Sequence, residues 1–356
     1  MENRKALIAM SGGVDSSVAA FLMKEQGFSC IGATMKLYDN ETVGMERQKT
    51  CCSLSDVEDA REVSYKLHIP YYVFNYKNQF ENAVISKFIS AYENGATPNP
   101  CIDCNRFLKF DLLLNRAEAL NCDYVATGHY ARIEFNGERY LLKKGIDETK
   151  DQSYVLYFLT QNQLSKIKLP LGEFRKSEIR KIAEENSFVN ANKKDSQDIC
   201  FVPDGDYAGF IEKYTGKSYE SGNFISTNDE VLGKHKGIIR YTIGQRKGLG
   251  LSNEIPLYVC RKNIEENTVT LGSSESLFTS VIIADDINLI SVSSIKNPIK
   301  VKAKTRYNMK EQPCTVYQID ENTLKFVFDE PQRAITKGQA VVIYDGDTVV
   351  GGGTIK

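Results

Sequence analysis

Ser11-Gly12-Gly13-Val14-Asp15-Ser16-Ser17 follows a short apolar run, Ala6 to Met10, and leads into a stretch of helical character, Ser17 to Gln26. At such a strand–helix junction small residues let backbone N–H groups approach an anion, and the helix N-terminus adds the positive end of its dipole. Ser16 and Ser17 can add hydroxyl donors, and Asp15 suits a magnesium ion bridging phosphates. The competing reading is a turn whose glycines only satisfy backbone geometry. The mononucleotide loop that ends in Gly-Lys-Ser/Thr is absent. Gly216-Lys217-Ser218 does not supply one, because Ile211 stands where its first glycine belongs.

Outward from this loop, apolar and helical stretches alternate. Ile31 to Met35 reads as a strand, Ser55 to His68 as a helix, Tyr71 to Phe74 as a strand and Gln79 to Tyr92 as an amphipathic segment. Phe107 to Leu120 then reads as a helix and Tyr124 to Thr127 as a strand. Strands alternating with helices of this length predict parallel βαβ units, hence an α/β, doubly wound parallel sheet over residues 1–203. Past Pro203 the chain carries many glycines and short apolar runs, including Gly244-Gln245-Arg246-Lys247-Gly248-Leu249-Gly250, so a small central domain is expected over 204–280. Short alternating segments between turn residues predict a C-terminal β-barrel over 281–356.

At 356 residues the chain has room for two or three domains. Its 42% apolar and 26% charged content is that of an ordinary soluble protein. No apolar stretch approaches the roughly 18 residues a membrane span needs, and the first residues lack a signal-peptide core, so a cytoplasmic protein with no membrane partner is expected. A net charge of −1 gives no global attraction for nucleic acid, so an RNA partner needs a local basic face. Lys300, Lys302, Lys304 and Arg306 alternate with smaller groups, which places four cations on one face of a strand. That pattern serves either a phosphate-binding stripe or an ordinary solvated face; Arg246 and Lys247 offer a second, weaker candidate.

Nine cysteines under reducing conditions do not predict a disulfide framework. With three histidines and no tryptophan, a histidine-rich metal site is not expected either. Cys30, Cys122, Cys260 and Cys314 fall in apolar or mixed runs and read as core residues, and Cys51-Cys52 is given no role. Two other sites stand out. In Asn99-Pro100-Cys101-Ile102-Asp103-Cys104-Asn105, Cys104 is expected just before the helix from Phe107, where the dipole favours a thiolate. Cys200 lies in Asp195-Ser196-Gln197-Asp198-Ile199-Cys200-Phe201. Singly each thiol is an ordinary structural cysteine; beside a phosphate loop the pair suggests sulfur transfer.

The loop resembles the pyrophosphate loop of the ATP pyrophosphatase class, whose members cleave ATP between the α- and β-phosphates and leave AMP on a substrate oxygen. The whole chain resembles the bacterial tRNA-specific 2-thiouridylase family. The matching strings are Ala9 through Ser16, Thr97-Pro98-Asn99-Pro100, Thr127-Gly128-His129-Tyr130-Ala131-Arg132, Lys150-Asp151-Gln152-Ser153-Tyr154, Asp195 through Phe201 and Tyr241-Thr242-Ile243-Gly244-Gln245-Arg246. The resemblance implies ATP-dependent thiolation of a wobble uridine, with tRNA and a persulfide-donating sulfur-carrier or cysteine desulfurase protein as partners. It implies Cys104 as nucleophile and Cys200 as the persulfide carrier. It implies nucleotide contacts at Ala9, Met10, Ser11, Gly12, Gly13, Val14, Asp15, Ser16, Met35 and Gly128. Asn99 and Pro100 would meet the target base, and Cys101, His129, Lys150, Asp151, Gln152, Arg306, Tyr307 and Gln339 the tRNA.

Many relatives carry aspartate where this chain has Cys101, a departure that leaves two mechanisms open. Cys101, Cys104 and Cys200 can be ligands of a [4Fe–4S] cluster, or Cys104 and Cys200 can relay a persulfide alone. Two rival functions share the loop. An ATP-dependent amide- or arginine-precursor ligase would need neither cysteine, and a non-catalytic RNA-binding or iron–sulfur protein would make no AMP.

Overall fold

In the computed structural model, residues 4–39, 54–193, 199–251 and 255–356 are described. The first strand, β1 (Lys5–Ala9), leads through the glycine-rich loop into α1 (Val14–Glu25). There follow β2 (Ser29–Lys36), α2 (Leu54–Lys66), β3 (Tyr71–Asn75) and α3 (Lys77–Phe80), which runs through a π-helical turn into α4 (Ser86–Glu93). Next come α5 (Pro100–Asp103), a π-helical segment Cys104–Leu112, α6 (Leu113–Ala119) and β4 (Tyr124–Ala126). A hairpin of β5 (Ala131–Phe135) and β6 (Tyr140–Lys144) precedes α7 (Gln161–Ser165), β7 (Ile167–Lys168) and α8 (Lys176–Glu185). The chain divides into two compact units.

The unit of residues 1–84, 101–205 and 346–350 holds a five-stranded sheet in the order β3-β2-β1-β4-β7. Every pairing in it is parallel. The chain winds outward from β1 through β2 to β3, then returns to the other side of β1 with β4. The strand order therefore reverses between β1 and β4, at whose C-terminal ends such sheets bind ligands. Ala6, Ile8, Val18, Ala19 and Met23 pack a dry core with Val63 and Ile179 from α2 and α8. Buried on both faces, β1 reads as an unbroken apolar run, which is the signature of a parallel strand.

The other unit, residues 85–100, 206–345 and 351–356, begins with α4 and resumes with α9 (Tyr207–Thr215). A four-stranded sheet, ordered β10-β11-β8-β9, uses β8 (Asn223–Ile225), β9 (Val231–Lys234), β10 (Tyr258–Asn263) and β11 (Thr268–Gly272). Its remaining strands are β12 (Phe278–Leu289), β13 (Ile299–Lys304), β14 (Gln312–Asp320), β15 (Thr323–Arg333), β16 (Ala340–Asp345) and β17 (Thr348–Ile355). They run in the order β12-β15-β14-β13-β16-β17, and β17 pairs back onto β12 through Ala284↔Ile355 and Leu289↔Gly351, which closes a six-stranded barrel. Closure removes the exposed edges that an open sheet of these strands would leave. Val316, Leu324, Phe326, Val341 and Ile343 are fully buried. Among the described residues no helix is long and apolar enough to cross a membrane.

Candidate active site

The loop sits at the switch point. Met10 N–H donates to Ala33 O and Thr34 Oγ1 to Met10 O, so β2 fixes the end of β1. Gly12 has φ +74, and a Cβ there would strike the backbone of Asp56; only glycine fits. Gly128, past the end of β4, packs against the loop: a Cβ on it would lie 2.8 Å from the Asp15 carbonyl carbon and 2.9 Å from Ser16 N. Met35 is buried at the end of β2. All ten positions expected to contact nucleotide thus lie at the C-terminal ends of β1, β2 and β4.

The serines differ from expectation. Ser16 Oγ donates to Gly13 O at 3.0 Å and accepts from Ser11 N, and Ser17 Oγ donates to Gly13 O at 3.1 Å. Their hydroxyls staple the loop rather than point out of it. The remaining donors for an anion are backbone amides of the first turn of α1, which has no side-chain cap at Gly13. Asp15 also differs. Its carboxylate accepts from Lys176 Nζ at 2.8 Å on each oxygen and from the Tyr130 hydroxyl at 2.7 Å on Oδ1.

Behind the loop, Asn190 Nδ2 donates to Gly12 O at 3.0 Å and Ser17 Oγ at 2.9 Å. Lys193 Nζ reaches Gly12 O, Asp56 and Asp59. Nothing in the sequence singles out Lys176, Asn190 or Lys193. Tyr130 lay inside a matching string, whereas Lys176 only opens an ordinary amphipathic helix.

The thiol segments show a second difference. The helix begins at Pro100, where proline's missing N–H costs nothing. Cys101 lies in its first turn and Cys104 in its second, rather than before the helix. Three residues apart, they share one face, with Ile102, Asp103 and Asn105 buried. Cys101 is exposed; Cys104 and Cys200 are half-buried. Tyr38 donates to Cys200 O at 2.8 Å, and Phe80 packs edge-on against Phe201, ring centroids 5.7 Å apart. The helix of Phe80 also packs on the segment that begins at Cys104, so the surroundings of both thiols meet at α3. Among the described residues no three His, Cys, Asp or Glu side chains are grouped to hold a metal ion. Cys30, Cys122 and Cys314 are buried and Cys260 half-buried, with burial pushing all four thiols up, Cys30 to about 11 and Cys314 to about 12. Cys51-Cys52 and Asp195–Asp198 lie outside the described residues.

Residues expected to touch tRNA fall into two groups. His129 is buried, its Nδ1 2.7 Å from Thr127 Oγ1, and desolvation holds its pKa well below the usual 6.5. Asp151 is buried and accepts from the Gly145 and Ser153 amides and the Ser153 hydroxyl. Gln152 exchanges bonds with the Tyr130 backbone, while Lys150 is half-buried. These residues shape the segments that carry Tyr130. In the other unit, β13 ends at Lys304, so Arg306 leaves the basic strand; its Nη2 donates to Ala334 O and Thr336 Oγ1. Gln339 Nε2 donates to Thr97 O at 2.6 Å and thereby fixes the segment that leads to Asn99-Pro100. Lys300, Lys302, Tyr307, Arg246 and Lys247 are exposed.

A phosphate-type loop at the switch point of a parallel sheet, followed by a four-stranded module and a closed barrel, defines a nucleotide-binding α/β protein of the pyrophosphate-loop class. Three family models match in chain order: a tRNA methyl transferase HUP domain over residues 4–204, a tRNA methyl transferase PRC-barrel domain over 208–273 and an aminomethyltransferase beta-barrel domain over 279–355. The chain is 52% identical to the tRNA-specific 2-thiouridylase MnmA of Clostridioides difficile, covering 99% of this chain and 98% of that protein. It is 51% identical to the protein of that name from Acetivibrio thermocellus, with 100% of both chains covered. The chain belongs to the tRNA-specific 2-thiouridylase family.

Proposed function

We propose that the protein is a tRNA-uridine 2-sulfurtransferase that uses ATP to replace O2 of the wobble uridine with sulfur. The observation that carries this reading is the loop of backbone amides at the switch point, joined with two half-buried thiols whose segments meet at α3. A uridine oxygen is a poor leaving group. Attack of O2 on the α-phosphate of ATP, which enters as its magnesium complex, expels pyrophosphate and leaves O2 as the bridging atom of an adenylate. The terminal sulfur of a Cys200 persulfide, loaded by a persulfide-donating protein, then attacks C2 and AMP departs. Cys104 thiolate attacks Cys200 Sγ, the S–S bond breaks, and thiouridine leaves with a Cys104–Cys200 disulfide behind it. An external dithiol reductant restores the pair. This relay needs Cys104 and Cys200 and no iron–sulfur cluster.

Asn99 and Pro100 are proposed to meet the target base, and Lys300, Lys302, Arg246, Lys247 and Tyr307 to meet the RNA. His129, Asp151, Gln152, Arg306 and Gln339 act by holding the segments around them. The matching families are named for methyl transfer, but a pyrophosphate loop and two thiols in one unit suit adenylation and sulfur chemistry instead. Incubation with labelled ATP, total tRNA and a persulfide donor tests the reading: AMP, pyrophosphate and a thiolated base are expected together. AMP and pyrophosphate with an amide product would point to the ligase; none of the three would leave a binding protein.

A further inference from the structure

We propose that Asn190 is a positioning residue for phosphate binding: its side-chain amide turns the Gly12 carbonyl inward, so that the Gly13 N–H is presented to the pyrophosphate portion of ATP. The inference rests on the adenylation reading and adds a residue to it. Asn190 is 2% exposed and lies past the end of α8, 178 residues from Gly12. The two hydrogens of its Nδ2 serve two acceptors, Gly12 O at 3.0 Å and Ser17 Oγ at 2.9 Å. One amide group thus ties the glycine turn to the first turn of α1. In a trans peptide the carbonyl and the N–H point in opposite directions, and no peptide bond among the described residues is cis. With Gly12 O held on a buried side chain, the Gly13 N–H faces away from the interior. The next peptide is set in the same sense. Gly13 O accepts from Ser17 N and from the hydroxyls of Ser16 and Ser17, which turns the Val14 N–H outward.

Three observations separate this role from ordinary packing. The groups that Asn190 touches have other hydrogen bonds: Gly12 O also accepts from Lys193 Nζ at 3.2 Å, and Ser17 Oγ donates to Gly13 O. Its own Oδ1 is buried with no partner among the described residues, which makes the side chain costly to keep for stability alone. An apolar residue of the same size would avoid that cost. The amides of Gly13 and Val14 donate to no acceptor among the described residues, so two aligned N–H groups face an anion at the positive end of α1. Lys193 does not supply the same restraint. Its ammonium sits on a flexible stem and is shared with Asp56 and Asp59, whereas the planar amide of Asn190 holds Gly12 O and Ser17 Oγ together.

Asn190→Leu, close in size and without hydrogen-bonding groups, tests the assignment on the full chain. It is expected to melt at or above the wild-type temperature, because no group it touched loses its last partner and the orphaned oxygen is gone. Calorimetry is expected to show inorganic pyrophosphate bound about 10-fold more weakly than by wild type, and kcat for AMP formation with tRNA is expected to fall about 100-fold, the scale of amides displaced by about 1 Å. KM for ATP should rise less than kcat falls, since the amides meet charge that grows as pyrophosphate departs. In wild type the Gly13 amide proton resonance is expected to move downfield when pyrophosphate binds, and in Asn190→Leu to move far less at saturation. Should Asn190→Leu fail to fold through a clash, Asn190→Ala, which is too small to clash, is expected to fold and to show the same losses. Wild-type pyrophosphate affinity with an unaltered Gly13 shift in either folded variant, a lowered melting temperature with native kcat, or no Gly13 response in wild type would overturn the proposal. If the wild-type chain binds pyrophosphate through the Gly13 amide but forms no AMP with tRNA, the adenylation reading fails while this assignment stands.

Discussion

The loop at the switch point and the basic strand of the barrel are both proposed to meet phosphate, and they are built in opposite ways. At the loop every side chain is tied: Ser16 and Ser17 to Gly13, Asp15 to Lys176, Asn190 to Gly12. On β13, Lys300 and Lys302 stand exposed on a strand whose other face carries the half-buried Val301 and buried Ala303. Lys304, half-buried, rests 5.5 Å from the Tyr344 ring centroid. Bond-making needs groups fixed before the substrate arrives, since ordering them afterwards costs entropy at the wrong moment. Holding an RNA backbone needs charge density that tolerates small displacements and salt. One region is therefore expected to fail abruptly on substitution and the other gradually.

The thiols set the upper limit of that contrast. Cys200→Ser is expected to lose thiolation by roughly 1000-fold or more while binding ATP and tRNA normally, because the atom that carries sulfur is gone. Thiolation at more than a tenth of the native rate with a protein persulfide donor would remove Cys200 from the chemistry. Gly128→Ala comes next. A Cβ 2.8 Å from the Asp15 carbonyl carbon must displace the loop, and a shift on the order of 1 Å costs about 100-fold in kcat. Unchanged kcat in a folded Gly128→Ala protein would mean that the loop is less constrained than its packing indicates.

Much of this contrast was legible in the sequence, and the parts that were not have physical causes. The apolar run, glycines and helical stretch place the loop correctly because each is a local signal: buried parallel strand, positive φ, helix start. Cys104 reads as preceding the helix because a run of polar residues and cysteines hides a helix start that Pro100 marks. Arg306 reads as part of the basic strand because period-two spacing continues past Lys304, whereas the strand does not. Lys176 carried no signal at all. Its partner lies 161 residues away, and only the packing of α8 on α1 brings them together.

Acid should blur the difference between the regions. His129 in one unit and His235 in the other are both buried with pKa values lowered by desolvation. His235 accepts N–H bonds from Gly222 and Gly237 on Nδ1 and lies 3.1 Å from Asn267 O through Nε2, an arrangement that suits the neutral ring. Groups whose folded pKa is depressed stay neutral while the unfolded chain takes up protons. Stability is therefore full above the unfolded value of 6.5 and is lost as pH falls from there toward the folded values. The expected slope reaches about 1.4 kcal/mol per pH unit for each histidine. A urea midpoint that stays flat between about pH 7.5 and 5.5 would contradict this.

The smallest expected effect belongs to the barrel. Lys302→Ala should weaken tRNA binding a few-fold and reduce the slope of log affinity against log salt by about one. Arg306→Ala should leave the slope alone and lower the melting temperature, since its guanidinium holds Ala334 O and Thr336. The reverse assignment of slope and stability between the two residues would return β13 to a plain solvated face.

In the proposed reaction, ATP cleavage and sulfur insertion are stages of one process on tRNA. Single-turnover reaction of wild-type protein with ATP, tRNA and a persulfide donor, followed by nucleoside mass spectrometry and AMP and pyrophosphate assay, tests it most directly. One AMP and one pyrophosphate are expected for each 2-thiouridine at the wobble position, with pyrophosphate appearing first and persisting in Cys200→Ser. Thiouridine formed without AMP, or formed equally well when ATP is omitted, would contradict the account.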